Sequence, residues 1–221
     1  MDDDLDASAV GEVSDNSLGR LLTLSDGVFA IAMTLLALDL RVPDLGGDTV
    51  TNAELLRALA AEVPSVATYL LSFYVVASYW MTHHRLMRSV QVTHIRLQIH
   101  TLLLLTLVAA LPFPSGLLAR YASTPVALSV YGAVNVLASL MLLWLRHDVR
   151  ADGLSTGPVD LDARLRTGWV GWGRVVVFAL CIPAGFILGG KGPWVLALLA
   201  VVGASARPWS RWRRRGVTTA R

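Results

Sequence analysis

The sequence contains only one cysteine, Cys181, and few charged residues. A lone cysteine can form neither a disulfide nor a cysteine metal site within one chain. Charged residues make up 16% of the chain and apolar residues 54%, against about 25% and roughly 45–50% in typical globular domains. The apolar residues come in long blocks, as segments buried in hydrocarbon require. The composition therefore favours an integral membrane protein over a soluble domain.

The sequence also lacks the common catalytic motifs. It has no Gly-x-Ser-x-Gly elbow, no His-Glu-x-x-His zinc site and no phosphate-binding loop. Two acids in the first apolar block, Asp26 and Asp39, would lie about 20 Å apart along one helix, which is too far for joint acid–base catalysis. We therefore expect a protein that is not an enzyme and that holds no cofactor and no bound metal.

Basic residues are absent from the first 19 positions, which hold six acidic ones. A secretory signal needs a basic start before an apolar run, so we expect residues 1–18 to form a disordered, acidic cytoplasmic tail. Residues 19–206 are expected to form the transmembrane domain and residues 207–221 a basic cytoplasmic tail. The arginines cluster at the ends of apolar blocks without an aromatic-stacking motif, so no nucleic-acid partner is expected.

Six apolar blocks approach the length of about 20 residues that a bilayer crossing requires. The prolines at 112 and 114 are expected to stop the third block, and the sixth is short enough to need a thinned bilayer or help from its flanking residues. The sequence thus predicts an all-α membrane protein with six transmembrane helices per subunit. The blocks cover residues 21–40, 63–81, 97–111, 126–145, 170–188 and 194–206.

The loops between these blocks alternate in positive charge. Fifteen of the nineteen Lys and Arg residues lie on one side of the predicted membrane, and only Arg41, Arg57, Arg120 and Lys191 lie on the other. Positive residues stay on the cytoplasmic side of a membrane. We therefore expect both termini in the cytoplasm and an even number of helices, in a multi-pass protein of the cell membrane.

The first block is more polar than the others, since it contains Ser25, Asp26, Thr34 and Asp39. A carboxylate at the centre of a membrane helix costs about 2.5–3.5 kcal/mol even on the insertion scale, so such groups normally face protein or water. On a helical projection Gly27, Ile31, Thr34, Leu35 and Leu38 fall on one stripe, with Arg20 below them. This stripe indicates either ordinary helix packing or a pore lining in which several copies form apolar rings.

Asp26 points away from the stripe, and its candidate partners lie at the end of the second block. There Trp80, His83, His84 and Arg85 have the same predicted cytoplasmic depth as Asp26. A carboxylate bonded to a Trp N–H and to Arg or His would hold the two helices together. Adjacent histidines point about 100° apart on a helix, so they form a poor metal pair. A proton-coupled secondary transporter that uses Asp26 and His83 is the alternative function, although no discontinuous helices occur in matching halves.

These residues resemble a known family. The first block reads R-x-x-x-L-S-D-G-V-F-A-I-A over residues 20–32, the second ends in Trp80-x-x-His83-His84, and the third ends in L-P-F-P at 111–114. This order is similar to that of the transmembrane protein 175 family, the lysosomal potassium channels and their prokaryotic relatives. Leu24 replaces the Phe of the family motif. His100 and Thr101 lie near the place where the family usually has an Asn, so the resemblance leaves open which group completes the Asp26 network.

The resemblance implies a passive, homotetrameric potassium channel in the bilayer, with potassium as the permeant ion and the first helix of each subunit lining the pore. It assigns the hydrophobic filter to Ile31, Leu35 and Leu38 and the selectivity-related hydroxyl to Thr34. The Thr-Val-Gly-Tyr-Gly filter of ordinary potassium channels does not occur, so modest selectivity is expected. An inter-helix network that positions the pore helix is assigned to Arg20, Ser25, Asp26, Trp80 and His83.

Overall fold

The computed structural model describes residues 2–46, 50–90, 94–121, 123–151 and 161–188, with side chains from residue 17 onward in these ranges and from 171 to 187 in the last. This part of the chain forms seven helices. They are α1 (Asp2–Ala37), α2 (Asn52–Ala61), α3 (Val63–Met87), α4 (Ile95–Ala110), α5 (Pro112–Arg120), α6 (Pro125–Ala151) and α7 (Leu161–Leu188).

Several of these helices are long and apolar enough to cross a membrane. Ser17–Ala37 in α1, Ile95–Arg120 across α4 and α5, and Pro125–Ala151 in α6 meet that condition. The bent pair α2 and α3, at 43° to each other, provides a fourth crossing if it is one span, and Gly171–Ile187 in α7 is a shorter apolar helix. The prediction of an all-helical membrane fold is confirmed for the described residues. The sixth predicted block, 194–206, and the tail from 207 lie outside them, so the count of six stays a prediction.

The N-terminal segment differs from its prediction. The sequence predicts disorder over residues 1–18, but α1 begins at Asp2 and continues without a break into the first span. Helix formation propagates more easily from an existing helix than it nucleates. Acidic residues are also favoured near the positive end of the helix dipole. The apolar span therefore extends its helix into the acidic segment.

The prolines after the third block end one helix but do not end the membrane span. Helix α4 ends at Ala110, where the backbone N–H of Leu111 bonds to the Val108 carbonyl at 3.1 Å, and α5 begins at once with Pro112. Proline is tolerated in the first turn because its missing N–H has no partner there anyway. The predicted end of this span at residue 111 is therefore wrong, and the span continues to Arg120.

A short helix occupies the segment between the first two long ones. Thr51 and Glu54 form a capping box at the start of α2: Thr51 Oγ1 accepts from the Glu54 N–H at 3.3 Å, and a Glu54 oxygen accepts from the Thr51 N–H at 2.9 Å. Each side chain thus satisfies a backbone donor of the other at the helix start. Pro64 then lies in the first turn of α3, where proline is likewise tolerated.

The helices pack in two groups that share α4 and α5. Helix α1 packs against α3, α4 and α5, and α6 packs against α4, α5 and α7. Between them lies a core of fully buried side chains from five helices. These include Phe29, Leu36, Val76, Met87, Leu97, Leu104, Leu118, Leu128 and Leu145.

Buried hydroxyl groups connect α3, α5 and α6 through the apolar core. Ser115 donates to Ser72 Oγ at 2.9 Å, and Ser72 donates to the Tyr131 hydroxyl at 3.3 Å. Two turns farther along α3, the Tyr79 hydroxyl lies 3.1 Å from both Asn135 Oδ1 and Ser139 Oγ. Because lipid offers no hydrogen bonds, polar groups at this depth must satisfy one another. These bonds fix α3, α5 and α6 relative to each other.

We predict that Gly132→Ala separates α6 from α7. A Cβ at Gly132 would lie 2.9 Å from the backbone oxygen of Phe178, which cannot move without shifting α7. Overpacking of this kind costs about 1–3 kcal/mol. Thermal loss of helical circular dichroism in detergent should therefore occur at a lower temperature. Gly173→Ala is the control, since its Cβ would meet nothing within 4 Å. Equal thermal unfolding midpoints for the two variants would contradict the close approach of α6 to α7 at Gly132.

Candidate functional site

One face of α1 is exposed along its whole transmembrane length. Ile31 is 60% exposed, Leu35 39% and Leu38 74%, and Gly27 and Thr34 on the same stripe are exposed too. The opposite face is buried against the other helices through Leu21, Ser25, Phe29, Ala32 and Leu36. The five residues that the sequence placed on one stripe thus share one face turned away from the subunit.

The Thr34 hydroxyl is oriented by its own helix. Its Oγ1 donates to the Ile31 carbonyl oxygen at 2.8 Å. A hydroxyl has one proton and two acceptor lone pairs. Because the hydroxyl proton of Thr34 is used in this bond, only the acceptor lone pairs of the hydroxyl are available to outside groups, and the side chain is exposed. The group is therefore arranged as an acceptor, which suits contact with a cation.

The N-terminal half of the exposed face forms an open groove that includes Arg20. The groove is lined by Gly19, Arg20, Thr23, Leu24, Gly27, Val28 and Ile31. The sequence assigned Arg20 to the Asp26 network, but the structure places it in this groove. Asp26 follows Arg20 by six positions, which puts the two about 120° apart around the helix. Arg20 therefore lies on the face of Ile31 rather than beside Asp26.

Asp26 and Trp80 connect α1 to α3. Trp80 Nε1 donates to Asp26 Oδ1 at 2.8 Å. The Trp80 ring stacks on the His84 ring with centroids 5.3 Å apart, and His84 Nδ1 lies 4.0 Å from the same carboxylate oxygen. The carboxylate is thus held by a Trp N–H and faces a histidine, as the sequence predicts, but the histidine is His84.

His83 and Ser25 lie next to this connection without bonding to the Asp26 carboxylate. The His83 side chain is only 1% exposed, and its ring lies 5.8 Å from the Phe29 ring. Ser25 is fully buried and donates to the Leu21 carbonyl oxygen at 2.8 Å. The sequence contained a signal for His84, because residues i and i+4 of a helix share a face and Trp80 and His84 have this spacing. His83 therefore contributes to packing between α1 and α3.

His100 and Thr101, which replace the family Asn, belong to a different contact. His100 Nδ1 lies 2.5 Å from Asp148 Oδ2 and connects α4 to α6, with the Trp144 ring 5.3 Å from the His100 ring. Thr101 donates to the Leu97 carbonyl oxygen within α4. Neither side chain bonds to Asp26. Across the described residues, no three His, Cys, Asp or Glu side chains are grouped to hold a metal ion.

Comparison with known proteins identifies the family. The model of the endosomal/lysosomal potassium channel TMEM175 family matches residues 20–112. A protein named as a potassium channel in Streptomyces collinus is 39% identical over 158 residues, which cover 69% of this chain and 74% of that protein. The chain belongs to the TMEM175 family. The resemblance of the first-helix motif to this family is therefore confirmed.

Further TMEM175 relatives agree with this assignment. A protein named as a potassium channel in Chamaesiphon minutus is 37% identical over 147 residues, covering 64% of this chain and 71% of that protein. The crystal structure of a lysosomal potassium-selective TMEM175 homologue from the same organism matches the fold with a TM-score of 0.71 and 29% identity. That match covers 86% of this chain and 98% of the homologue. The part matched by the family model includes the exposed face of α1, Asp26 and Trp80.

We predict that Trp80→Phe destabilises the protein by about 1 kcal/mol. The substitution keeps an aromatic ring against His84 and removes only the N–H that bonds to Asp26. A hydrogen bond to a charged group contributes about 1.5–3 kcal/mol, and the partial exposure of Asp26 reduces this value. A thiol-reactive dye that reports exposure of the buried Cys181 on heating measures the change. Trp172→Phe, at a residue 58% exposed, should unfold like wild type. Equal unfolding temperatures for all three proteins would show that the bond does not join the helices.

Proposed function

We propose that this protein is a potassium channel in which copies of α1 surround a central pore. The observation that carries this proposal is the mixed character of the exposed α1 face. That face combines large apolar side chains with Arg20, Thr23 and Thr34. Polar and charged groups inside a membrane normally face water or protein. A face of this kind therefore fits a water-filled conduit between subunits better than contact with lipid.

Ile31, Leu35 and Leu38 provide the hydrophobic constriction in this proposal. When several subunits surround one axis, the copies of each residue form a ring around the pore. The three rings lie one or two helical turns apart along α1. Narrow apolar rings in a pore restrict ions by dewetting. The constriction thus replaces the carbonyl filter whose sequence the chain lacks.

Thr34 supplies the polar ring between these apolar rings. Its lone pairs, left free by the bond to the Ile31 carbonyl, replace part of the hydration shell of a passing cation. One hydroxyl per subunit gives fewer oxygen ligands than stacked rings of backbone carbonyls. The preference for potassium over sodium is accordingly modest.

The assembly we propose is a homotetramer in the cell membrane, with six transmembrane helices per subunit and both termini in the cytoplasm. Residues 19–206 form the channel domain between an acidic segment, 1–18, and a basic segment, 207–221. The distribution of Lys and Arg supports the orientation, and the motif resemblance supports the subunit number. In each subunit the Asp26–Trp80 bond holds the cytoplasmic half of the pore helix on α3.

Replacing Leu35 with Ala should increase potassium flux through the protein in liposomes. The smaller side chain widens the constriction and eases its hydration. A tenfold increase corresponds to lowering the barrier by about 1.4 kcal/mol, and an effect of about this size is expected. Leu137→Ala is the matched control, because Leu137 is 52% exposed on α6 rather than on α1. If wild type and Leu35→Ala both fail to pass potassium under a gradient, the channel proposal is wrong. Saturable flux driven by a pH gradient would instead indicate a transporter.

Thr34→Ala tests the hydroxyl as the selective group. The variant loses one hydroxyl ligand from every subunit, and a difference of about 1 kcal/mol in the stabilisation of the two ions lowers the ratio of potassium to sodium permeability about fivefold. Reversal potentials recorded in mixed potassium and sodium measure this ratio. Thr34→Ser, which keeps the hydroxyl, should behave like wild type. A reversal potential that is the same for Thr34→Ala and wild type would remove Thr34 from the selectivity mechanism.

A further inference from the structure

Asp39 lies where α1 leaves the membrane, immediately after the outermost apolar residue of the exposed face. Helix α1 ends at Ala37, and the next residues close two tight turns, with the Leu38 N–H bonded to the Leu35 carbonyl and the Leu40 N–H to the Ala37 carbonyl, both at 3.1 Å. Leu38 and Asp39 thus belong to one compact backbone unit. A contact that fixes the position of Asp39 therefore also fixes the position of Leu38.

The Asp39 carboxylate lies directly on Gly116 of α5. A Cβ built at Gly116 would be 2.6 Å from Asp39 Oδ2, 2.8 Å from Oδ1 and 2.9 Å from Cγ. Both carboxylate oxygens therefore occupy the space that any side chain at residue 116 would fill. The absence of a side chain is what permits the contact, since glycine alone allows so close an approach to the backbone.

Helix α5 provides a fixed support for this contact. Ser115, the neighbour of Gly116, is bonded to Ser72 of α3 at 2.9 Å, and Leu118 is fully buried. Ser72 is bonded in turn to the Tyr131 hydroxyl of α6. Helix α5 is thus held by two other helices at the position where α1 contacts it.

We propose that Asp39 is a positioning residue that fixes the outer end of the pore helix, and with it the Leu38 ring, by contact with Gly116. The effect of this contact on conduction rests on the proposed function. The contact itself is a property of one subunit. Asp39 acts through the position of Leu38 and not as a ligand of the permeant ion.

Gly116→Ala is the variant that tests the contact. The nearest atoms to the new methyl group belong to the end of a side chain, so the carboxylate will move while α5 keeps its fold. Alanine also favours a helix more than glycine does. The variant should therefore fold, with Leu38 released from its fixed position. Gly173→Ala, with nothing within 4 Å of its Cβ, is the matched control for a helical Gly-to-Ala change.

The position of Leu38 can be measured without conduction. Spin labels at Leu38→Cys and Leu137→Cys in a Cys181→Ala background report the distance from the end of α1 to α6, and dilution with unlabelled chains isolates the intrachain distance. Gly116→Ala and Asp39→Ala should each broaden or shift this distance distribution, while Gly173→Ala should not. Asp39→Asn has the same shape without the charge and should retain the wild-type distribution. An unchanged distribution in Gly116→Ala would overturn the proposal.

The effect on conduction is tested by a double-mutant cycle. Residues in contact couple by at least about 0.5 kcal/mol, which corresponds to at least about a twofold change in rate. Gly116→Ala and Asp39→Ala should each raise the potassium flux of unlabelled protein in liposomes by about this factor or more. The double variant should show no further increase. Additive effects would overturn the inference, whereas absence of flux in wild type would overturn the proposed function and leave the distance measurement to decide the contact.

Discussion

A polar side chain within a membrane has to find a partner in the protein or contact water, because hydrocarbon supplies neither hydrogen bonds nor hydration. Helix α1 meets this constraint in two ways. Ser25 is buried and donates to the Leu21 carbonyl, whereas Asp26 is partly exposed and accepts the Trp80 N–H of α3. Thr34 uses its proton on the Ile31 carbonyl and remains exposed. The orientation of α1 is thus set by its polar residues, and that orientation decides which apolar residues face away from the subunit.

The two ends of α1 are held by different chemistry. In the N-terminal half of the span a hydrogen bond from Trp80 to the Asp26 carboxylate joins α1 to α3, and the stacked His84 ring restricts the Trp80 side chain. At the other end a carboxylate rests on a glycine of α5, and its position depends on steric fit rather than on a donor. Two contacts of this kind fix the tilt of α1 against α3 and α5. The exposed apolar residues between the two contacts, Ile31 and Leu35, are therefore held in a fixed orientation relative to the rest of the subunit.

The helices and the exposed stripe could be predicted because they depend on local properties of the chain. Hydropathy locates the spans, and the 100° rotation per residue places Ile31, Thr34 and Leu35 on one face whatever surrounds them. Partners across helices could not be predicted with the same certainty. The choice between His83 and His84 depends on the rotation of α3 against α1. The family resemblance assigns Arg20 to the network, although its angular position around the helix separates it from Asp26.

The Pro112 break shows why even a local rule can mislead about the extent of a span. A proline cannot continue the hydrogen bonds of the helix before it, so an end at this position was a sound expectation. The same residue is well suited to begin a helix, and the chain uses it for both purposes. Because α5 starts immediately, Gly116 lies close enough to the end of α1 to receive Asp39. A span that ended at Leu111 would leave the C-terminal end of α1 without this support.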